Sequence, residues 1–140
     1  MSSIEAVPQP RIDVLVTAAD GSGRTLRRTE YHGTVWYGGR PQLTHRAQAA
    51  TVSGISTPFW IPDSLAYRTD GASSAVVTAS VGLQSIQTAG QVIDVSAALH
   101  PHPGRAGHSF VLFSLQASAV LPLGLSYHAV VVADVDAVDD

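Results

Sequence analysis

Cysteine, lysine and asparagine are absent from this chain, and methionine occurs once. Without cysteine there is no disulfide to staple the fold, no thiolate nucleophile and no Cys-ligated zinc. The missing lysine removes Schiff-base chemistry and the lysine of a phosphate-binding loop, and the missing asparagine removes N-glycosylation acceptors. Every cation other than histidine is arginine, a bias that fits GC-rich coding of the bacterial or bacteriophage kind. Long apolar runs are missing too: no window approaches the roughly 20 apolar residues of a membrane span. The start, "MSSIEAVPQP", lacks the basic residues and apolar stretch of an export signal. A soluble chain without a signal peptide is therefore expected, with no membrane partner.

Charge is scarce. Only 14% of the 140 residues are charged while 45% are apolar, against an average of roughly 25% charged. That is one domain's length, enough to bury a sizeable core, and it leaves surplus apolar surface with few groups to solvate it. The net charge of -3 gives no general attraction for nucleic acid. Arg11, Arg24, Arg27, Arg28, Arg40 and Arg46 lie in the first third, whereas Asp134, Asp136, Asp139 and Asp140 crowd the end. Two poles of opposite sign would suit head-to-tail contacts between copies; basic turns and a solvated acidic tail are the plain alternative.

Residues 1–10 carry Pro8 and Pro10, which discourage helix, and read as an extended N-terminal arm. "RIDVLVTA" is a β-branched run closed by "ADGSG", whose glycines suit a tight turn, so "RTLRRTEY" is expected to return as a hairpin strand. Gly33 and Gly38-Gly39 bracket a short "TVWY" strand. "QLTHRAQAATV" offers a turn of helix or an irregular strand, and "STPFWIPDS" an aromatic loop or edge strand framed by prolines. From residue 74 onward four strand-length segments follow: "SAVVTASVGLQSIQT", "QVIDVSAAL", "SFVLFSLQASAV" and "SYHAVVVADV". Apolar residues alternate along each, yet Val76, Val92, Phe110, Leu112, Val130 and Val132 occupy the opposite faces, where a solvated sheet would place charge. A second sheet would cover one side, and a neighbouring subunit is the simplest cover for the other.

Candidate chemistry is thin. "VTAADGSGRT" is a near miss for a phosphate-binding loop, but Ala18 replaces the first glycine and a strand pattern follows where a helix is needed. "VSGISTP" lacks the elbow of a serine hydrolase, and no pair of carboxylates is fixed by spacing. Arg24, Arg27 and Arg28, with Tyr31 and His32 beside them, read better as a solvated edge than as a nucleic-acid contact. Trp36, Tyr37, Phe59, Trp60 and Tyr67 are the candidates for an interface or ligand face; filling the core is their plainer use. "LHPHPGRAGHS" brings His100, His102 and His108 together as weak candidates for a metal. Pro101 and Pro103-Gly104 take that stretch out of a ladder and make it a loop tip, and no acid follows before Asp134.

The expected architecture is all-β: an antiparallel β-sandwich, a class that includes the jelly-roll, spanning residues 11–135, with the arm before it and a short acidic tail, 136–140, after it. No enzyme activity, cofactor or metal is expected. The functional expectation is a structural, self-assembling protein acting through protein-protein contacts, as in a bacteriophage virion (capsid decoration or tail), with other copies or other virion proteins as partners and the bacterial cytoplasm as the alternative location. The runner-up is a small carbohydrate- or peptide-binding module using the exposed aromatics.

Overall fold

The computed structural model describes residues 4–38, 50–55, 58–69, 75–83, 90–121 and 123–139. Strands dominate them: β1 (Ile4–Pro8), β2 (Ile12–Thr17), β3 (Thr25–Tyr37), β4 (Ala50–Ile55), β5 (Phe59–Trp60), β6 (Ala66–Arg68), β7 (Val76–Leu83), β8 (Gly90–Pro101), β9 (His108–Leu121), β10 (Leu123–Asp134) and β11 (Val138–Asp139). The all-β expectation holds. All pairings are antiparallel and fall into two sheets. No helix among the described residues is long and apolar enough to cross a membrane.

Both sheets follow one plan. In the first, β3 pairs along its length with β10, and β10 pairs onward with β7; the far edge of β3 takes β1 and β2 end to end. In the second, β9 pairs along its length with β8, while its other edge takes β4, β5 and β6 end to end, and β11 is added to β6. A long strand with one unbroken partner and one edge of short pieces therefore organises each sheet.

Period-two alternation decides which faces meet. Thr29, Tyr31, Gly33, Val35 and Tyr37 on β3, Leu123, Leu125, Tyr127, Ala129, Val131 and Ala133 on β10, and Ser109, Val111, Phe113 and Leu115 on β9 are buried, with more exposed residues alternating along most of each strand. These inner faces share one core. Tyr127 of the first sheet meets Phe59 and Phe113 of the second at ring-centroid distances of 5.6 and 6.0 Å, and the Tyr31 hydroxyl bonds that of Tyr67 at 2.9 Å. Tyr31 also accepts the Leu65 N–H at 2.9 Å, so a buried backbone donor in the loop before β6 is satisfied by a side chain.

Several expectations change. Gly33 does not begin a short strand; β3 runs straight through it. The reason is room: a Cβ there would lie 2.4 Å from the Val7 carbonyl oxygen and 2.7 Å from the Tyr127 hydroxyl, so only glycine lets β1 and the tyrosine ring approach. The hairpin at residues 12–30 forms as expected, its turn using positive φ at Gly21 and Gly23. The arm is extended, but residues 4–8 are not outside the body: they pair with Gly33–Tyr37, and Ile4 and Ala6 pack on the core. The acidic tail is likewise drawn in, as a 3-10 turn over Val135–Ala137 followed by β11 against β6. Arg40 and most of "QLTHRAQAATV", including Arg46, lie outside the described residues; the last residues of that stretch begin β4.

Candidate functional site

Strand β2 of the first sheet is largely uncovered. Among the described residues it pairs only with β3, and five of its six residues are exposed. Register with β3 sorts its side chains. Ile12, Val14 and Val16 stand opposite Glu30, Arg28 and Leu26 on the outer face; Asp13 and Leu15 stand opposite Thr29 and Arg27 on the inner face. Ile12, Val14 and Leu15 are 48%, 44% and 64% exposed, so the outer face of β2 is open and its inner face is uncovered at Leu15. The apolar outer row continues across the sheet, from Val14 through Arg28 to Val132 and then Val76, itself 61% exposed.

Polar contacts hold this strand firmly in place. The Asp13 carboxylate accepts hydrogen bonds from Thr29 Oγ1 at 2.7 Å, Arg27 Nε at 3.1 Å and Arg11 Nε at 3.3 Å. Partial burial pulls its pKa up, but the bonds from Arg27 and Thr29 and the nearby guanidinium charges outweigh that and leave it below the ordinary aspartate value. At the turn, Asp20 accepts the Ser22 N–H and Arg24 Nη2, each at 3.0 Å, and its carboxyl is held at about 2, chiefly by hydrogen bonds from Ser22.

Arg24 also reaches both carboxylate oxygens of Asp134, at 3.0 and 3.3 Å, and Arg68 donates to the Asp136 carbonyl. Arg24, Arg68 and residues 134–137 line an open depression of about 450 Å³. Arg24 and Asp134, one group from each charge pole of the sequence, thus pair within one chain.

The outer face of the second sheet carries a different cluster. Trp60 lies opposite Leu112 and is half-buried. Its ring sits 4.7 Å from that of His102 and 6.0 Å from that of His100, and His102 stands 4.5 Å from Phe110. The Gly104 N–H donates to His102 Nδ1 at 3.0 Å, which places the proton of the neutral ring on Nε2. Indole and imidazole are thereby fixed side by side on a sheet surface.

The three histidines are not one ligand set. His100 and His102 belong to the Trp60 cluster, whereas His108 Nε2 contacts Asp139 Oδ2 at 2.6 Å and its Nδ1 contacts the Ala106 carbonyl at 3.2 Å. This contact pulls the Asp139 carboxyl below its usual range. The pair resembles the histidine and carboxylate of a catalytic triad, but both ring nitrogens already face acceptors, so neither is left to draw a proton from a nucleophile. Among the described residues no group of three or more histidines and carboxylates is placed to hold a metal. The loop is also shorter than expected, because β8 includes Pro101. The His102 N–H bonds the His108 carbonyl at 3.1 Å, so by alternation the Pro101 nitrogen points away from β9, where a missing N–H costs no ladder bond.

The five aromatic candidates divide by parity. Tyr37, Phe59 and Tyr67 lie in the core, at most 7% exposed, and leave the surface to Trp36 and Trp60. Trp36 lies flat on its cross-strand partner Gly124, where a Cβ would meet the indole ring at 2.3 Å. Ile12, Val14 and Leu15 were not among the sequence candidates, although the signal was present: Val14-Leu15-Val16 is apolar on consecutive positions and so on both faces of a strand. No family model matches the chain, and neither a curated protein nor a solved structure does.

Proposed function

We propose that this chain is a structural protein that assembles through protein-protein contacts, a virion component of the capsid-decoration or tail kind being the setting that suits it best. The observation that carries the reading is β2: an edge strand without a described partner on its free side, apolar and exposed on both faces. Soluble monomers ordinarily blunt such edges with charge, proline or a covering element, because an open ladder templates pairing with another chain. Here the one acid of the strand is drawn inward to Arg27 and Thr29.

The same reading takes the two sheets, sharing one core, as a β-sandwich of jelly-roll type. Its support is nested pairing: β3 with β10, the β4–β6 run with β9, and β7 lying against β8 innermost. That architecture serves capsids and lectins alike, so it does not choose between functions.

Sedimentation across a wide concentration range tests assembly. The expected result is mass above the 14.6 kDa of one chain; a strict monomer at the highest concentration overturns the reading. A second reading, a carbohydrate or peptide face, rests on the fixed Trp60–His102 pair. It predicts a saturable change in Trp fluorescence on titration with glycans or peptides, lost in Trp60→Ala, and a flat titration across a broad panel rejects it.

A further inference from the structure

Resting on the assembly reading, we infer that the free edge of β2 is the seam of a two-fold dimer, in which β2 pairs antiparallel with β2 of a second copy about an axis at Leu15. The hydrogen-bond parity of the strand leads there. The Ala18 N–H bonds the Arg24 carbonyl at 2.9 Å, and the register pairs Val16 with Leu26, Val14 with Arg28 and Ile12 with Glu30. In an antiparallel pair, alternate residues turn both peptide groups toward the partner strand. Residues 12, 14, 16 and 18 therefore face β3, and Asp13, Leu15 and Thr17 turn their N–H and C=O groups to the open side.

A two-fold pairing must set open residues against open residues, which leaves few registers with useful overlap. An axis at Asp13 places that carboxylate opposite its own copy, and like charges directly opposite are destabilising. An axis at Val14 makes the two Asp13 side chains diagonal neighbours on one face. An axis at Leu15 puts Asp13 opposite Thr17, separates the two carboxylates by about 13 Å along the strands, and carries Arg11 of each copy toward the turn that holds Asp20 of the other. It also sets Leu15, the most exposed large apolar residue described, against its own copy, and Val14 against Val16. Charge separation and apolar burial thus favour the Leu15 axis over those at Asp13 and Val14, and an axis at Val16 would give up the Leu15–Leu15 contact for Leu15 against Thr17.

A second copy is the occupant for a specific reason. The edge is self-complementary in this register, with its Arg11 and Asp20 ends brought together, and a strand of another protein would have to supply the same pattern.

The test is cysteine scanning, which the absence of native cysteine leaves free of background. Single cysteines at positions 12 to 16 are oxidised with copper-phenanthroline in the otherwise intact chain, and disulfide dimers are followed on non-reducing gels. Leu15→Cys is expected to react fastest: a directly opposed hydrogen-bonded pair has Cα atoms about 5.5 Å apart, within disulfide reach. Ile12→Cys, about 20 Å from its own copy along the strands, is expected to stay monomeric. Leu15→Glu places two carboxylates on the axis and should weaken dimerisation at least tenfold while the far-UV spectrum of this exposed-site variant is unchanged. A maximum at Val14→Cys overturns the register. Native oligomers without any cross-linking along β2 overturn the seam and leave the assembly reading standing, and a strict native monomer overturns both.

Discussion

Removing one hydroxyl from the core should make this protein more stable. The Tyr127 hydroxyl is buried and has no hydrogen-bond partner among the described residues, while its ring is fixed by Phe59 and Phe113. Burial pushes the phenol far above its ordinary value, and the nearby Asp63 charge adds to the shift. An unsatisfied buried polar group costs about 1–3 kcal/mol relative to one left in water, and Tyr127→Phe removes that cost while keeping the ring. Against it stands a small void where the oxygen was, but the crowding over Gly33, within 2.7 Å of a would-be Cβ, limits what is lost. The net expectation is a gain of about 1 kcal/mol, or about 3 °C in Tm for a domain of this length. Urea denaturation measures it, and Tyr31→Phe is the control. That hydroxyl accepts the Leu65 N–H and bonds the Tyr67 hydroxyl, each at 2.9 Å, so its loss orphans the Leu65 N–H, takes one partner from Tyr67 and should cost about 1–3 kcal/mol. The same chemical change thus has opposite signs at two core tyrosines. If Tyr127→Phe loses 1 kcal/mol or more, the hydroxyl has a partner, such as a water shared with Asp63 Oδ1, and the reasoning fails.

Three further outcomes follow from the same geometry. Gly33→Ala should cost about 2–3 kcal/mol in urea midpoint analysis, because the new methyl meets the Val7 carbonyl and Pro8 Cα, which are backbone and cannot swing away; adding Tyr127→Phe should recover only part. Gly124→Ala meets first the Trp36 ring, which can rotate outward, so it should cost about 1 kcal/mol and shift Trp emission to the red; an unchanged spectrum would place the ring elsewhere. Asp20, held at about 2 against an ordinary 3.8, contributes stability that is full above about pH 4 and is lost as pH falls through its folded value. An NMR titration of its side chain should show a midpoint near 2 that rises toward the ordinary value in Ser22→Ala.

Strands β8, β9 and β10 were legible because apolar residues recur at alternate positions along most of each, and the β2–β3 hairpin because its turn glycines follow a β-branched run. What could not be read are features that depend on residues distant in sequence. Gly33 looks like a strand breaker until Tyr127 and Val7 are brought against it. Pro101 looks like part of a loop until the His102 N–H shows which way its nitrogen points and β8 is seen to include it. The dipeptides Trp36-Tyr37 and Phe59-Trp60 each had to place one ring inward and one outward, since neighbours in a strand face opposite ways. Alternation cannot say which until register with the core is known, and in both cases the tryptophan is the outer residue. The pairing of the charge poles was illegible for a similar reason: Arg24 and Asp134 are far apart in sequence and bonded in space.

The shared plan of the two sheets bears on where function can reside. β3 and β9 each bond one long partner without interruption of the strand run, and their other edges are filled by short pieces, which have fewer ladder bonds to lose and end in irregular turns. Short edge strands are the sites that open most readily and that evolution can alter without disturbing the core. The two candidate surfaces fall on these broken edges: β2 on the first sheet and Trp60, from β5, on the second. They differ in how they are held. Trp60 is braced by His102, with its strand partner Leu112 beside it, a surface already partly satisfied by its own chain. β2 is fixed from one side by Asp13, Arg27 and Thr29 while its apolar residues and its open peptide groups face solvent. A strand held rigid in its extended form has already lost the freedom that pairing would otherwise remove, so the cost of docking a second strand is lowest there. That difference, more than the number of aromatic residues on either face, is why β2 is the better candidate for the surface on which this protein acts.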